Sequence, residues 1–436
     1  MGFYLNNKSK VSLYKSEMQR PYFVDKTLIL SELFPFIESG NSHICITRPR
    51  RFGKTVMANM IGAFFEKYED TKEIFDQLKI SKSPEYEKHR NKHDVIYIDF
   101  SKMPEDCDSY DQYISRIINR LKKDLIREYP DADYEEEDAL WDILDCIFDM
   151  YDGQKFIFVM DEWDCVFHKA FITREDQQKY ISFLSNLLKD HGYVELSYMT
   201  GILPIAKYSS GSELNMFLEY TMASEEKFNE YFGFTESEVD DLFVKYLKIC
   251  EIPAITREQL RLWYDGYATK AGERMYNPRS VVTALSNNNI GNYWTSSGPY
   301  DEIFYYIRQN IDDVQNDLAL MISGEAVTAK IQEYAAVSMN LTTKNEIFSA
   351  MIVYGFLSYE NGEVRIPNKE LMNKFDDMIH KVSKLKAQKY NKKKWRYVQK
   401  QLKKSKKILY SNAATQKSIN SAKSDLKKSI NKLRRK

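Results

Sequence analysis

Two short segments of this 436-residue chain constrain its fold more than any other feature. ITRPRRFGKT occupies residues 46–55, and KFIFVMDEWD occupies residues 155–164. The first places a Gly-Lys-Thr triplet between a short apolar strand (43–47) and a helical pattern (56–68). A turn of this kind exposes backbone N–H groups at a helix N-terminus, where they and the helix dipole bind phosphate oxygens. The first segment therefore predicts a phosphate-binding loop.

The residues of both segments have predicted roles at a nucleoside triphosphate. Lys54 is expected to reach the β- and γ-phosphates, and Thr55 to ligate Mg²⁺. The apolar strand of the second segment ends in two carboxylates, of which Asp161 is the predicted metal ligand and Glu162 the residue that polarises water. Thr200 ends a later strand and is predicted to contact the γ-phosphate. The predicted catalytic residues are thus Glu162, Lys54 and Thr200.

The loop departs from the pattern G-x-x-x-x-G-K-[ST] at its first position, where Arg48 replaces glycine. Three arginines make the loop cationic, and its proline restricts φ, so glycine-dependent geometry is in doubt at position 48. Nucleotide contacts are predicted for the consecutive residues Arg50, Arg51, Phe52, Gly53, Lys54, Thr55 and Val56. For Arg50 and Arg51, the alternative is that they only solvate the loop or pair with Asp164.

Apolar strand patterns alternate with helical patterns through the first half of the chain. Strands are predicted at 43–47, 95–100, within 155–164 and at 194–199. Such alternation predicts an α/β fold with a mainly parallel sheet covered by helices on both faces. In these sheets, ligands bind at the carboxyl ends of the strands, which is where the lysine, the carboxylates and Thr200 lie.

The pattern changes to helices and loops after about residue 225. A helical pattern at 347–357, followed by a turn and an apolar strand, predicts a winged-helix-like module. The predicted organisation is a P-loop domain over 1–225, a helical lid region over 226–300, a helical or winged-helix-like region over 301–380 and a Lys-rich tail over 381–436.

Charge is unevenly distributed, although the formal net charge is zero. Residues 381–436 contain 21 Lys and Arg and one acid, Asp425, so they carry +20 and the remaining chain carries −20. Such a tail is either a solvated extension or an element that binds nucleic acid weakly and without sequence preference.

Other sequence features mainly exclude classes of protein. No apolar run approaches the roughly 20 residues of a membrane span, and the N-terminus has no apolar signal core, so we expect a cytoplasmic protein without a membrane partner. The five cysteines lack CxxC pairs and predict reduced thiols. His89 and His93 lie four residues apart in a polar basic stretch, which favours a solvated loop over a zinc site.

Several motifs, taken in order, resemble a bacterial family of AAA-ATPase-like proteins in the P-loop NTPase superfamily. They are YFVDKT (22–27), ITRPRRFGKT, the DEWD segment, the Thr-Gly at 200–201, YFGFTESEV, WYDGY, YNPRSV and RIPNKEL. The resemblance covers roughly residues 15–375 and implies that the Arg-Pro-Arg-Arg-Phe loop is a usual form of the motif. Family members commonly continue into a PD-(D/E)XK nuclease domain. After Ile379 this chain has no carboxylate pair followed by Glu-x-Lys, so nuclease activity is not expected.

Three functions remain open from the sequence. The first is a Mg²⁺-dependent, ATP-hydrolysing conformational switch, with ATP and Mg²⁺ as cofactors. The second is a nucleotide-binding regulator with little turnover that presents a surface to a protein partner. The third is a nucleic-acid-binding protein whose basic tail supplies affinity and whose binding is controlled by nucleotide. Glu162 favours the first over the second because a regulator does not need a carboxylate that polarises water.

Overall fold

A computed structural model of the chain describes residues 2–135, 137–205, 213–223, 225–294, 311–331, 341, 343–376 and seven positions between 400 and 428. The chain divides into two compact units, Met1–Phe232 and Gly233–Lys436. Most of the Lys-rich segment 381–436 lies outside the described residues. The domain boundaries derived from the sequence stay predictions.

A five-stranded sheet forms the core of the first unit, in the order β2-β3-β4-β1-β5. Its strands are β1 (Ser42–Thr47), β2 (Asp94–Asp99), β3 (Phe156–Asp161), β4 (Val194–Gly201) and β5 (Leu218–Tyr220). All neighbouring strands pair in parallel. Strands β1 to β4 are buried almost throughout, as expected when helices cover both faces. The predicted parallel α/β sheet is confirmed, whereas β5 is short and partly exposed and has no clear sequence signal.

Helices of the first unit alternate with these strands. They are α1 (Ser9–Met18), α2 (Ile29–Ser39), α3 (Lys54–Phe65), α4 (Lys72–Phe75), α5 (Tyr86–His89), α6 (Tyr110–Glu128), α7 (Leu140–Met150) and α8 (Arg174–Leu188). Among the described residues of this unit, short 3₁₀ helices lie at Lys79–Lys82, Trp163–His168 and Asn229–Tyr231. Every second strand residue, such as Ile44 and Ile46 of β1, joins a cluster with apolar residues of α2 and α3. This burial fixes α3, and with it the loop that precedes the helix, against the sheet.

The N-terminal segment covers the outer edge of the sheet at β2. Leu5 forms an antiparallel bridge with Ile96, and the Asn6 N–H donates to the Val95 carbonyl oxygen at 2.8 Å. The Asp124 carboxylate accepts the Tyr4 N–H at 2.7 Å and so anchors the segment to α6. Pairing of this kind blocks an edge strand from associating with other chains. Helix α1 follows directly and packs against α3.

The described part of the second unit contains more helix than strand. Its described helices are α9 (Glu236–Ile249), α10 (Arg257–Tyr264), α11 (Pro278–Asn287), α12 (Ile311–Ile322) and α13 (Lys344–Val353). Its strands form a hairpin of β6 (Tyr267–Ala268) and β7 (Arg274–Met275), and an antiparallel sheet of β8 (Val327–Thr328), β10 (Glu363–Arg365) and β9 (Ser358–Glu360). The predicted helix, turn and strand are confirmed at α13 and β10, and β9 adds a strand before the turn, while the winged-helix-like assignment stays a prediction. Among the described helices, none has the length and apolar character that a membrane-spanning helix requires.

Candidate nucleotide site

The loop at 48–53 connects the carboxyl end of β1 to the first residue of α3, Lys54. Gly53 has a φ of 92° and Arg51 a φ of 70°. Glycine adopts this left-handed backbone readily, whereas any other residue there costs about 1 kcal/mol. Arg48 is not among the described residues with positive φ. The first position of the loop therefore does not require glycine, which removes the doubt that the sequence raised.

The Lys54 side chain is buried beneath this loop and is only 4% exposed. Its ammonium donates to the main-chain oxygens of Arg48 at 3.0 Å and Pro49 at 3.2 Å. Burial lowers the pKa of Lys54, and the carboxylates of Glu162 and Asp164 act in the opposite direction. The Lys54 ammonium is thus attracted by both the loop carbonyls and the nearby carboxylates. Phosphate oxygens of a bound nucleotide would compete with the carbonyls for it.

Asp161 is the last residue of β3 and is fully buried. Neither of its carboxylate oxygens has a hydrogen-bond partner among the residues that the structure describes. Burial, together with the charges of Glu162 and Asp99, raises its pKa to about 7. The Thr55 hydroxyl approaches closely enough to lower that pKa but does not reach hydrogen-bond geometry. An unpartnered buried carboxylate is costly unless it binds a proton or a cation, so Asp161 and Thr55 fit a Mg²⁺ site.

Thr200 lies beside Asp161, because these two residues are register partners on β3 and β4. Its hydroxyl is buried, also without a hydrogen-bond partner in the described part of the chain. The next residue must be glycine, since a Cβ at Gly201 would come within 2.4 Å of the Trp163 ring and 2.6 Å of an Asp164 oxygen. The Thr-Gly pair thus places an unpartnered hydroxyl directly beside the buried carboxylate.

Two acids follow Asp161 and differ in their surroundings. Glu162 has a left-handed φ of 55°, and its charge acts on both Lys54 and Asp161. Asp164 is 1% exposed, and its Oδ2 accepts the N–H groups of Ile202 at 3.1 Å and Leu203 at 2.9 Å. Asp164 therefore fixes the chain that follows β4, whereas Glu162 faces the site.

The remaining predicted contacts lie along the loop and the first turn of α3. Phe52 is buried and 1% exposed, Arg50 is half-buried and Arg51 is exposed. Thr55 and Val56 are exposed on the first turn. The structure thus brings the predicted residues together at the carboxyl ends of β1, β3 and β4, while their individual roles stay predictions.

Comparison with known families decides which group of proteins this arrangement belongs to. Residues 14–210 match a family model described as "Predicted AAA-ATPase". Over this segment the chain is therefore similar to the AAA-ATPase-like family. The resemblance inferred from the motifs is confirmed over residues 14–210, and the match supports nucleotide binding by this segment.

Individual proteins similar to the chain are distant. An uncharacterized protein in the vnfD 5′ region of Azotobacter chroococcum mcd 1 is 24% identical over 282 residues, which cover 64% of this chain and 51% of that protein. The chain therefore spans about half the length of this curated relative. A Walker-type ATPase of Pyrococcus abyssi has a TM-score of 0.43 and 8% identity, over 85% of this chain and 95% of its own. The ORC2 protein of Aeropyrum pernix, in ADPNP-ADP complexes, has a TM-score of 0.38 and 11% identity, over 87% and 96%.

Two charged residues near the candidate nucleotide site were not predicted from the sequence. Asp99 ends β2 and is the register partner of Asp161; its Oδ1 accepts from the N–H and hydroxyl of Ser101 at 3.0 and 2.6 Å. Lys10 of α1 is 5% exposed, and its ammonium lies 3.5 Å from the centre of the Tyr97 ring. Burial lowers the pKa of Lys10 to about 8, against the attraction of Asp99 and Asp161. A carboxylate at the end of a strand is a signal that could have identified Asp99, whereas Lys10 belongs to no motif.

The prediction that His89 and His93 occupy a solvated loop is wrong. Their side chains are only 3% and 10% exposed, because His89 ends α5 and stacks on Phe34 at 4.5 Å. His89 Nδ1 lies 3.1 Å from His93 Nε2, and His93 Nδ1 lies 2.8 Å from a Glu195 oxygen. Burial lowers the pKa of His89, and the neighbouring His93 adds to that effect. In the described part of the chain, no group of three or more His, Cys, Asp or Glu residues is placed to hold a metal ion.

Proposed function

We propose that this chain binds ATP with Mg²⁺ at the carboxyl end of its sheet and hydrolyses it, and that this cycle switches the protein between conformations. The observation that carries the proposal is Asp161, a fully buried carboxylate without a hydrogen-bond partner among the described residues. It lies near a second unpartnered polar group, the Thr200 hydroxyl, and near the buried ammonium of Lys54. A cation and a triphosphate would satisfy all three groups.

Each side chain has a defined part in the proposed reaction. On binding, the Lys54 ammonium exchanges its main-chain acceptors for oxygens of the β- and γ-phosphates. Thr55 and Asp161 would hold Mg²⁺, which would neutralise charge on the phosphate oxygens. Glu162 orients the attacking water, and Thr200 contacts the γ-phosphate. Arg50 and Arg51 add cationic contacts to the phosphates.

Binding is tested by titrating ATP and Mg²⁺ against wild-type protein and Lys54→Ala. We expect Lys54→Ala to weaken ATP binding by at least about a hundredfold, because a charged hydrogen-bond network loses its main mobile cation. Lys72→Ala is the control, since Lys72 is an exposed lysine at the start of another helix of the same unit. Equal affinity in wild type and a folded Lys54→Ala variant would reject the site.

Hydrolysis is tested separately with Glu162→Gln in single-turnover assays. The amide keeps the shape of the side chain and loses the charge that orients water. We expect ATP binding to be retained and turnover to fall at least about a hundredfold. Equal turnover would favour the alternative, a nucleotide-gated regulator with little hydrolysis that presents its surface to a protein partner.

The charge of the C-terminal segment favours a second candidate function, weak binding of nucleic acid. Residues 381–436 carry 21 Lys and Arg against one acid. Ion pairs between these residues and the acidic remainder of the chain would be weak, since exposed ion pairs contribute only about 0 to 1 kcal/mol each. An external polyanion such as nucleic acid can therefore compete for the basic side chains. We expect sequence-independent binding with a steep dependence on salt concentration.

A salt titration of DNA and RNA binding compares the full chain with a chain truncated after residue 380. The truncated protein should lose nucleic-acid binding and keep ATP binding, because the nucleotide site lies in the first unit. Identical binding by both proteins, or none by the full chain at low salt, would leave the tail as a solvated extension.

A further inference from the structure

Arg48 stands where the phosphate-loop pattern has its first glycine, and its side chain is directed into the protein. It is 1% exposed. One guanidinium nitrogen, Nη1, donates to the main-chain oxygens of Thr47 and Tyr220, both at 2.7 Å, and Nη2 donates to Asn229 Oδ1 at 2.8 Å. The guanidinium carbon lies 5.1 Å from the centre of the Phe232 ring, within cation–π range. Arginine is suited to this position, because its planar group donates in several fixed directions at once.

The acceptor on Asn229 is itself held in place. Asn229 is 6% exposed, and its amide nitrogen donates to the Glu225 oxygen at 2.7 Å and the Met222 oxygen at 3.4 Å. These bonds leave Oδ1 as the atom that faces Arg48. The side chain of Arg48 therefore joins the start of the phosphate loop to the segment 220–232, which begins at the last residue of β5 and of which residue 224 is not described.

The main chain of Arg48 contacts the nucleotide site from the other side. Its N–H donates to the Gly201 oxygen at 3.1 Å, next to Thr200 on β4. Its carbonyl oxygen accepts from the Lys54 ammonium at 3.0 Å. One residue thus connects the phosphate-binding lysine, the end of β4 and the segment 220–232. No contact of the guanidinium with a phosphate is required for this arrangement to act on binding.

We propose that Arg48 is a positioning residue that fixes the phosphate loop in its binding geometry by anchoring it to residues 220–232. In this loop the anchor takes the place of the glycine at the first position. The inference rests on the proposed ATP binding at the same site. The phosphate-loop motif predicts that a glycine at position 48 favours nucleotide binding. The anchor predicts the opposite, namely that Arg48→Gly weakens ATP binding.

The test measures the Kd for ATP with Mg²⁺ and the single-turnover hydrolysis rate in the full chain. Arg48→Lys keeps the charge but loses the fork of donors, and Asn229→Ala removes one acceptor without changing the loop. We expect each to raise the Kd at least about tenfold and to leave the hydrolysis rate of bound ATP within about threefold, since both lose the charged hydrogen bond between Arg48 Nη2 and Asn229. The double variant should be about as weak as Arg48→Lys alone, because Asn229→Ala removes a bond that Arg48→Lys has already lost.

A matched control separates positioning from general loss of stability. Arg90→Lys changes an arginine of the same unit that is 11% exposed and donates to Asp70, Asn91 and Glu87, away from the site. Thermal unfolding of all variants is measured alongside. Arg90→Lys should lower stability and leave the Kd unchanged, so stability loss alone does not move the nucleotide affinity.

Three results would overturn the inference. These are an unchanged Kd in folded Arg48→Lys and Asn229→Ala, additive effects in the double variant, or tighter binding by Arg48→Gly. If the Arg48 variants do not fold, Asn229→Ala decides alone. Failure of the proposed function has a different signature: wild type and Lys54→Ala would then show the same absence of ATP binding. Normal binding by wild type together with an unchanged Kd in Arg48→Lys and Asn229→Ala rejects the anchor only.

Discussion

Two buried charged residues of the nucleotide site have opposite surroundings. The guanidinium of Arg48 donates hydrogen bonds to Thr47, Tyr220 and Asn229. The carboxylate of Asp161 accepts none from the described residues, although it is at least as deeply buried. Since a buried charge is costly unless it is paired or hydrogen-bonded, the first residue stabilises the fold and the second destabilises it.

This difference separates a structural role from a binding role without reference to a motif. Polar atoms that already form hydrogen bonds within the protein, such as Nη1 and Nη2 of Arg48, are less available to a ligand. Groups that are buried and unpartnered keep their capacity for a cation or a phosphate, at the expense of stability. By this criterion Asp161 and Thr200 belong to the binding surface, while the Arg48 side chain belongs to its support.

The largest expected effect on stability comes from removing the supporting charge. Arg48→Met preserves much of the side-chain volume and leaves the oxygens of Thr47, Tyr220 and Asn229 without this donor. We expect a loss of about 3 kcal/mol in the free energy of unfolding of the nucleotide-free protein, because buried acceptors lose their partner. Urea denaturation measures it. A loss below about 1 kcal/mol would show that water or other groups replace the guanidinium.

The same measurement on Asp161→Asn should give a change of opposite sign. The amide has the shape of the carboxylate without its charge, so nucleotide-free protein at pH 8 should gain about 2 kcal/mol. Binding of ATP with Mg²⁺ should be lost in the same variant. A less stable Asp161→Asn protein would mean that the carboxylate has stabilising partners in solution, and the contrast with Arg48 would fail.

The pH dependence of this gain provides its control. The pKa of Asp161 is raised from 3.8 to about 7 in the folded protein, so the stabilisation that its proton provides is present below pH 4 and lost as the pH rises through 7. The stability difference between wild type and Asp161→Asn should therefore be small near pH 4 and grow towards pH 8. Other groups, such as Glu66 with a pKa of about 7, are common to both proteins and cancel.

Much of the fold could be predicted from the sequence because its signals are local. Apolar runs identified β1 to β4, and the Gly-Lys-Thr triplet placed the start of α3 within the first unit. Strand β5 was missed because three partly exposed residues give no periodic pattern. His89 and His93 were misplaced because charged neighbours suggested solvent, whereas their burial depends on Phe34 and Glu195, which are distant in sequence.

The candidate site also contains residues that the sequence could predict and residues that it could not. Asp161 and Thr200 lie at the carboxyl ends of neighbouring strands of one parallel sheet, and Lys54 follows the next strand, β1, so topology alone brings them together. The inward direction of Arg48 could not be read from the loop, since its acceptors at Tyr220 and Asn229 carry no motif and lie more than 170 residues away. Lys10 was missed for a similar reason: its place beside Tyr97 depends on packing of the N-terminal segment against β2, which no motif signals.

The smallest expected effect concerns steric strain in the phosphate loop, between Arg48 and Lys54. Arg51 has a φ of 70°, a conformation that glycine tolerates and alanine does not. Arg51→Gly and Arg51→Ala both remove the side chain and its contacts, so their comparison isolates the backbone. We expect Arg51→Gly to be more stable than Arg51→Ala by about 1 kcal/mol, the reverse of the usual order. Urea denaturation of both proteins gives the difference, and Arg51→Asn should lie between them, because asparagine adopts this conformation more readily than alanine. If Arg51→Ala is the more stable protein, residue 51 is not left-handed in solution. The destabilisation of the nucleotide-free site would then come from the buried charge of Asp161 and not from backbone strain at residue 51.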